Sequence, residues 1–190
     1  MNVIVLISGT SGSGKTYIVR EIIKELPFNT SLLYLGSKNK LAGYLWDEPP
    51  LAIMGNYSAA CGGCDSLSWK GASDEIEQEI IRQRDLGRSV ILEGLLVGTW
   101  GVARMGRLVP YGLINILLDT PVEECVASVE ARRAEKAAAT GKELKPFNPD
   151  NTVGKHGGLL SVLPLRRAAG IPVEVLSREA ALARVREIVL

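Results

Sequence analysis

An excess of charge of either sign is missing from this chain. Lys and Arg number 22 and Asp and Glu 21, for a formal net charge of +1. No bulk field is therefore available to hold a polyanion or an acidic membrane surface, although local basic patches are compatible with that balance. Cysteine is scarce and odd in number, at Cys61, Cys64 and Cys125, which fits a reducing compartment rather than a disulfide framework. Long apolar runs are absent. The run from Val3 to Ile7 is too short for a bilayer, and only Met1 and polar Asn2 precede it, with no basic leader; no membrane partner and a cytoplasmic location are expected. Repeats, coiled-coil heptads and low-complexity segments are missing too. What remains is 46% apolar residues in 190, enough for a real core, so a single domain over 1–190 is expected.

Apolar runs alternate with helical periodicity along the chain. "VIVLIS" at 3–8 is continuously apolar and β-branched, as in a central parallel strand covered on both faces. Ile18, Ile22 and Leu26 then recur at helical spacing until Pro27. Residues 31–36 read as a second strand, and 37–72 as irregular. A helix is predicted over about 73–86, with acids at its start and Gly87 at its end. A third strand follows at 88–94, a helix over about 97–108, and a fourth strand at 113–119. Thr120-Pro121-Val122-Glu123 has the pattern of a capping box and opens a helix to about 139. Residues 140–155 read as a loop or flap, about 156–169 as a helix, and 171–176 as an edge strand, since Pro172 lies near its start. Leu182, Val185 and Val189 give a last amphipathic helix. Five strands alternating with helices predict an α/β, doubly wound sheet.

Between the first strand and the first helix stands Gly9-Thr10-Ser11-Gly12-Ser13-Gly14-Lys15-Thr16. It matches G-x-x-x-x-G-K-[ST], the phosphate-binding loop. Glycines let backbone N–H groups turn inward around phosphate oxygens, and the helix N-terminus adds its dipole. Lys15 is expected to reach the β- and γ-phosphates of ATP, and Thr16 to offer its hydroxyl to Mg²⁺. An ordinary glycine-rich turn is the plainer reading, and the strand–loop–helix context argues against it.

Glu93 ends the third strand, where a carboxylate in such a sheet faces the ligand crevice. It could hold Mg²⁺ through water or take a proton from an attacking hydroxyl; the plain alternative is a solvated strand end. Residues 132–155 carry Arg132, Arg133, Lys136, Lys142, Lys145 and Lys155 against Glu135, Glu143 and Asp150. Such a basic helix end and loop suit a lid whose Arg132 and Arg133 stabilise charge on a transferred group. It could equally be a solvated helix end, and adjacent arginines cannot face one site equally.

The order of phosphate loop, long insert, acid-ended third strand and arginine-bearing lid resembles the nucleoside and nucleotide kinase group of P-loop proteins, over nearly the whole chain. The resemblance implies a three-layer fold with a five-stranded parallel sheet in the order 2-3-1-4-5 and a helical lid. It also implies transfer of the γ-phosphate of ATP, with Arg132 and Arg133 as lid arginines. "GNYSAACGGCD" at 55–65, "ILEGLLVG" at 91–98 and "KPFNPDNTVGKH" at 145–156 are similar, more narrowly, to small bacteriophage kinases such as 5-hydroxymethyluridine DNA kinase. That likeness implies a pyrimidine hydroxyl acceptor in modified DNA.

In such folds the insert at 37–72 lies opposite the phosphate loop. Asn56, Tyr57, Asp65 and Trp69 are its candidate acceptor contacts, with aromatics to stack a base and Asn or Asp to read its edge. Asp65 follows two glycines and could orient or deprotonate the acceptor hydroxyl; a turn aspartate among core aromatics is the plain alternative. Trp46 and Trp100 read as packing residues. Cys61 and Cys64 suggest zinc, but the chain offers only Cys125 and His156 to complete a site. His156 reads as a helix cap. A DNA acceptor needs a local basic groove, for which Arg104, Arg107, Lys142, Lys145 and Lys155 are candidates. A free nucleoside or nucleotide kinase, a gluconate- or shikimate-type kinase and a regulatory P-loop NTPase remain rival readings.

Overall fold

The unbroken apolar run of the first strand is buried along its whole length, because neighbours pair with it on both sides and helices cover both its faces. The computed structural model describes residues 2–58, 62–141, 144 and 146–190. Its strands are β1 (Ile4–Ser8), β2 (Ser31–Leu35), β3 (Lys40–Trp46), β4 (Leu51–Met54), β5 (Ser89–Glu93), β6 (Leu113–Leu118) and β7 (Val173–Leu176). Its helices are α1 (Lys15–Glu25), α2 (Ala72–Asp85), α3 (Leu95–Gly98), α4 (Val102–Leu108), α5 (Val122–Thr140), α6 (Asp150–Ser161), α7 (Leu163–Ala168) and α8 (Arg178–Val189).

One mixed sheet runs β2-β3-β4-β5-β1-β6-β7. β4, β5, β1, β6 and β7 are parallel to one another, while β2–β3 and β3–β4 are antiparallel. The expected all-parallel sheet of five strands in the order 2-3-1-4-5 is therefore corrected to seven strands in a different order. Residues 31–36 do not form a second parallel strand; they are the outer arm of an antiparallel hairpin. Two strands also lie within the stretch that reads as irregular. Gly43, Pro49 and Pro50 hide them, since glycine and proline interrupt strand patterns. At Gly43 the reason is proximity, because a Cβ there would lie 2.7 Å from the Ile53 carbonyl oxygen.

Two apolar layers sandwich the sheet. Ile18, Val19 and Ile22 of α1 and Leu182 and Val185 of α8 pack on one face with Val5, Ile7 and Ile91. Ile76 and Ile80 of α2, Val97 of α3, and Met105 and Leu108 of α4 pack on the other with Leu6, Met54 and Leu92. Trp46 and Trp100 are core residues, 3% and 6% exposed. The helix expected over about 97–108 is broken at 99–101, where Gly101 is extended.

α5 buries only Cys125 and Val129 of its 19 residues, so it projects as an arm. The following helix begins at Asp150, not near 156. Asn148 Oδ1 accepts from the Asp150 N–H at 2.9 Å and starts the turn, while Gly154, Gly157 and Gly158 dilute the helical signal in the sequence. Among the described residues no helix is long and apolar enough to cross a membrane.

Candidate active site

The loop between β1 and α1 is held by backbone geometry that only glycine adopts easily. Gly12 and Gly14 have φ of +86° and +98°. A Cβ at Gly12 would lie 2.2 Å from the carbonyl oxygen of Cys125 on α5, so the missing side chain lets α5 seat against the loop. Ser13 Oγ donates to the Thr10 carbonyl at 2.9 Å. Thr120 Oγ1 donates to the Ser13 carbonyl at 3.0 Å, and Thr10 Oγ1 to the Thr152 carbonyl at 3.3 Å. The Thr120 hydroxyl thus serves the phosphate loop; no side chain caps α5, and its N-cap residue is Pro121, which corrects the expected capping box.

Lys15 is buried, and its ammonium donates to the carbonyls of Gly9 and Thr10, both at 2.8 Å. Burial pulls its pKa below the usual lysine range, opposed by the negative charges of Glu93 and Asp65. Thr16 Oγ1 donates to Glu93 Oε1 at 2.9 Å. Glu93 is 1% exposed. Burial pushes its carboxyl up to about 7, against the opposing pull of Lys15 and of the Thr16 hydrogen bond. A Cβ at Gly63 (φ +83°) would lie 2.3 Å from Glu93 Oε1, so this glycine is what admits the carboxylate.

Asp65 sits in a 3₁₀ turn at Cys64–Ser66. Its Oδ2 accepts from Leu95 N at 2.9 Å and its Oδ1 from Leu96 N at 2.8 Å. It therefore closes the start of α3 from a distant part of the chain, beside Glu93. Lys15, Thr16, Asp65, Glu93, Arg132 and Arg178 line one cleft of about 550 Å³, with Ser11, Gly12 and Gly14. Arg132 faces this cleft, whereas the Arg133 guanidinium stands 5.9 Å from the Phe147 ring centroid. Adjacent positions on α5 have diverged as helix geometry requires.

Asn56, Tyr57 and Trp69 do not line that cleft. Asn56 Oδ1 accepts from Ser58 N and Oγ. Tyr57 donates to the Met54 carbonyl at 3.3 Å and packs 6.3 Å from Tyr44. Trp69 donates to Glu75 at 3.0 Å and lies against Gly36 in the β2–β3 turn. Arg104 and Arg107 are paired with Asp74 and Glu77 at 2.6 Å, Lys155 is exposed on α6, and Lys142 and Lys145 lie outside the described residues. So does Cys61; Cys64 is fully buried, its thiol 3.7 Å from the Met54 carbonyl oxygen. His156 is half-buried within α6, six residues past its start. Reading the sequence missed Arg178 and Ser128. The signal for Arg178 was present: it follows the C-terminal end of a parallel strand, where ligands of such sheets bind.

A helix N-terminus, an ammonium, a hydroxyl and a carboxylate thus converge on one cleft, the set that phosphoryl transfer requires. For a divalent ion the donors are hard oxygens, the Thr16 hydroxyl and the carboxylates of Glu93 and Asp65, and this chemistry suits Mg²⁺.

The chain is 33% identical over 193 residues to a 5-hmdU DNA kinase of Pseudomonas phage PaMx11, covering 97% of this chain and 96% of that protein. It is 24% identical over 189 residues to a 5-hmdU DNA kinase of Pseudomonas phage M6, covering 96% and 95%. Among solved structures, a chain of the PezAT chromosomal toxin-antitoxin system of Streptococcus pneumoniae shares the fold, with TM-score 0.53 and 17% identity over 94% of this chain and 69% of that one. No family model matches.

Proposed function

The chain belongs to the 5-hmdU DNA kinase family and is an ATP-dependent phosphotransferase, and from that premise we propose that its acceptor is the hydroxymethyl group of 5-hydroxymethyl-2′-deoxyuridine in DNA. The observation that carries the mechanism is the buried Glu93 carboxylate, 2.9 Å from the hydroxyl of loop residue Thr16. The loop amides and Lys15 hold the ATP phosphates. Thr16, with Glu93 facing it, would hold Mg²⁺, which neutralises charge on the phosphate oxygens when bound. Glu93 takes the proton of the acceptor hydroxymethyl group as the acceptor oxygen bonds to the γ-phosphorus, and the bond from that phosphorus to the β,γ-bridging oxygen breaks to release ADP. Before any Mg²⁺ is bound, burial raises the Glu93 pKa to about 7, a direction that suits a base working near neutral pH. Asp65 positions the segment after Glu93 through the two N–H groups it accepts. Arg132 supports charge developing on the transferred group from the lid at about 132–155.

The 190 residues act as one kinase domain, a reading supported by the single sheet that all seven strands share. The enzyme would work in the cytoplasm of an infected cell, where its DNA acceptor is found.

The test is transfer of radiolabelled γ-phosphate from ATP to DNA containing the hydroxymethyl base, ordinary DNA, free pyrimidine nucleosides and nucleotides, and gluconate, with Lys15→Ala as the inactive control. Label confined to the modified DNA supports the proposal. Label only in a free nucleoside, nucleotide or gluconate overturns the DNA acceptor, and ATP hydrolysis indifferent to every acceptor would favour a regulatory NTPase.

A further inference from the structure

A second cavity of about 400 Å³ opens between the segment following Glu93 and the helices following the lid. Its floor includes Trp100, Leu159 and Arg166, all buried, and its rim includes Lys155 and Gly158, both exposed. The walls are mostly apolar, with one charged exception at the bottom. Arg166 is 2% exposed. Its Nη2 donates to the carbonyl oxygens of Gly98 at 2.6 Å and Trp100 at 3.4 Å. The Asn115 carboxamide satisfies its own bonds when its oxygen accepts from Arg166 Nη1 at 3.0 Å and its nitrogen donates to Ser8 Oγ at 2.7 Å. The Arg166 Nε–H has no hydrogen-bond partner. Among the described residues no carboxylate pairs with this guanidinium.

A buried cation without a counter-charge, holding an unused donor, is unfavourable unless something else supplies an acceptor. Apolar walls over one such cation describe a site for a flat, largely apolar molecule with electron-rich carbonyl oxygens on its edge. Leu95 ties this cavity to the catalytic cleft. Its N–H donates to Asp65, which lines the cleft, and the residue itself lines the cavity. The two spaces thus share one hydrogen-bonded pair, Asp65 lining the first and Leu95 the second, and the segment at 37–72 contributes nothing to the second.

Resting on the kinase reading above, we propose that this cavity receives the extruded pyrimidine-2,4-dione base of the DNA acceptor. The Arg166 guanidinium supplies positive charge beneath a ring carbonyl, Trp100 and Leu159 bound the ring, and Lys155 stands at the rim where the phosphate backbone passes. Enzymes that act on a base work on a single strand or take the base out of its stack, and the cavity is large enough for one nucleoside.

Gly158→Phe tests this. A Cβ at Gly158 meets nothing within 4 Å, so the new side chain starts from open space at a residue that lines the cavity. Gly157→Phe, equally open but not among the cavity-lining residues, controls for the change in helix composition. Two quantities are measured: binding of a short single strand carrying one hydroxymethyl base against the same strand with an abasic site, and label transfer with ATP affinity measured alongside. The wild type and Gly157→Phe should prefer the base-bearing strand by roughly tenfold or more, the size of one buried base contact. Gly158→Phe should lose that preference and raise the KM for DNA while its Kd for ATP stays unchanged. A Gly158→Phe protein with unchanged preference and KM overturns the cavity assignment and leaves the kinase reading standing. A wild type that labels no hydroxymethyl DNA overturns the acceptor reading instead. In that case a base-over-abasic preference abolished by Gly158→Phe still supports a base site here, and its absence overturns one.

Discussion

Glu93 is a carboxylate where ionisation is disfavoured, and its strand explains why: β5 is buried from end to end. Its pKa rises from 4.5 unfolded to about 7 folded, so between those values the folded chain binds the proton more tightly. Folding stability therefore declines as pH rises from about 4.5 to 7 and levels off above, a penalty on the order of 3 kcal/mol. Glu93→Gln should remove it. In chelator-containing buffer at pH 8 the variant is expected to melt above the wild type, with a flatter dependence of Tm on pH between 5 and 7. Its phosphate transfer should fall roughly 10²–10⁴-fold, the range for loss of a general base. Equal melting curves at pH 8 would contradict a buried carboxylate whose ionisation the fold disfavours. Asp65→Ala leaves the N–H groups of Leu95 and Leu96 without their acceptor. It should cost roughly 1–2 kcal/mol of stability, seen as a Tm lowered by a few degrees, and should reduce turnover with it.

Between elements, the phosphate loop runs close against α5, with no room for a side chain at Gly12. Gly12→Ala puts a methyl group against the Cys125 carbonyl oxygen and a side chain at φ +86°. Either the loop or α5 must move, so ATP affinity should fall at least tenfold, with a lowered Tm; titration calorimetry measures the first. Along α5, Arg132 faces the cleft and Arg133 faces Phe147. Arg132→Ala is expected to lower kcat by about 10²-fold or more with little change in Tm, and Arg133→Ala to change kcat far less. Equal losses in the two variants would contradict the divergence on the helix. That divergence was foreseeable from adjacency; which arginine turned inward was not, since it depends on how α5 seats against Gly12. The turn at β2–β3 drew Trp69 away from the cleft for a similar reason. Gly36 and Glu75 are distant in sequence, and only the packed hairpin brings both to the indole.

Over the whole molecule, net charge says little about where a polyanion would bind. Arg104 and Arg107 are neutralised by Asp74 and Glu77 on α2, while Lys155 is exposed at the rim of the second cavity. Transfer to hydroxymethyl DNA should fall with added salt more steeply than acceptor-free ATP hydrolysis. Lys155→Ala should reduce the slope of that dependence by about one, and Arg107→Ala should leave it nearly unchanged. A slope altered equally by both would place the DNA path along α4 instead.

The phosphate loop, its flanking strand and helix, and the position of Glu93 at a strand end could be read from local patterns, because each rests on contacts close in sequence: glycine conformations, apolar periodicity, a helix start. The mixed sheet could not be. Two of its strands contain or follow residues that break strand patterns, and they form only because their backbones pair with neighbours. The hydrogen bond of Thr120, the different surroundings of Arg132 and Arg133, the arrival of Arg178 at the cleft and the buried Arg166 beneath an apolar cavity were decided by tertiary packing. Each depends on groups far apart in the chain that meet only once the helices close over the sheet.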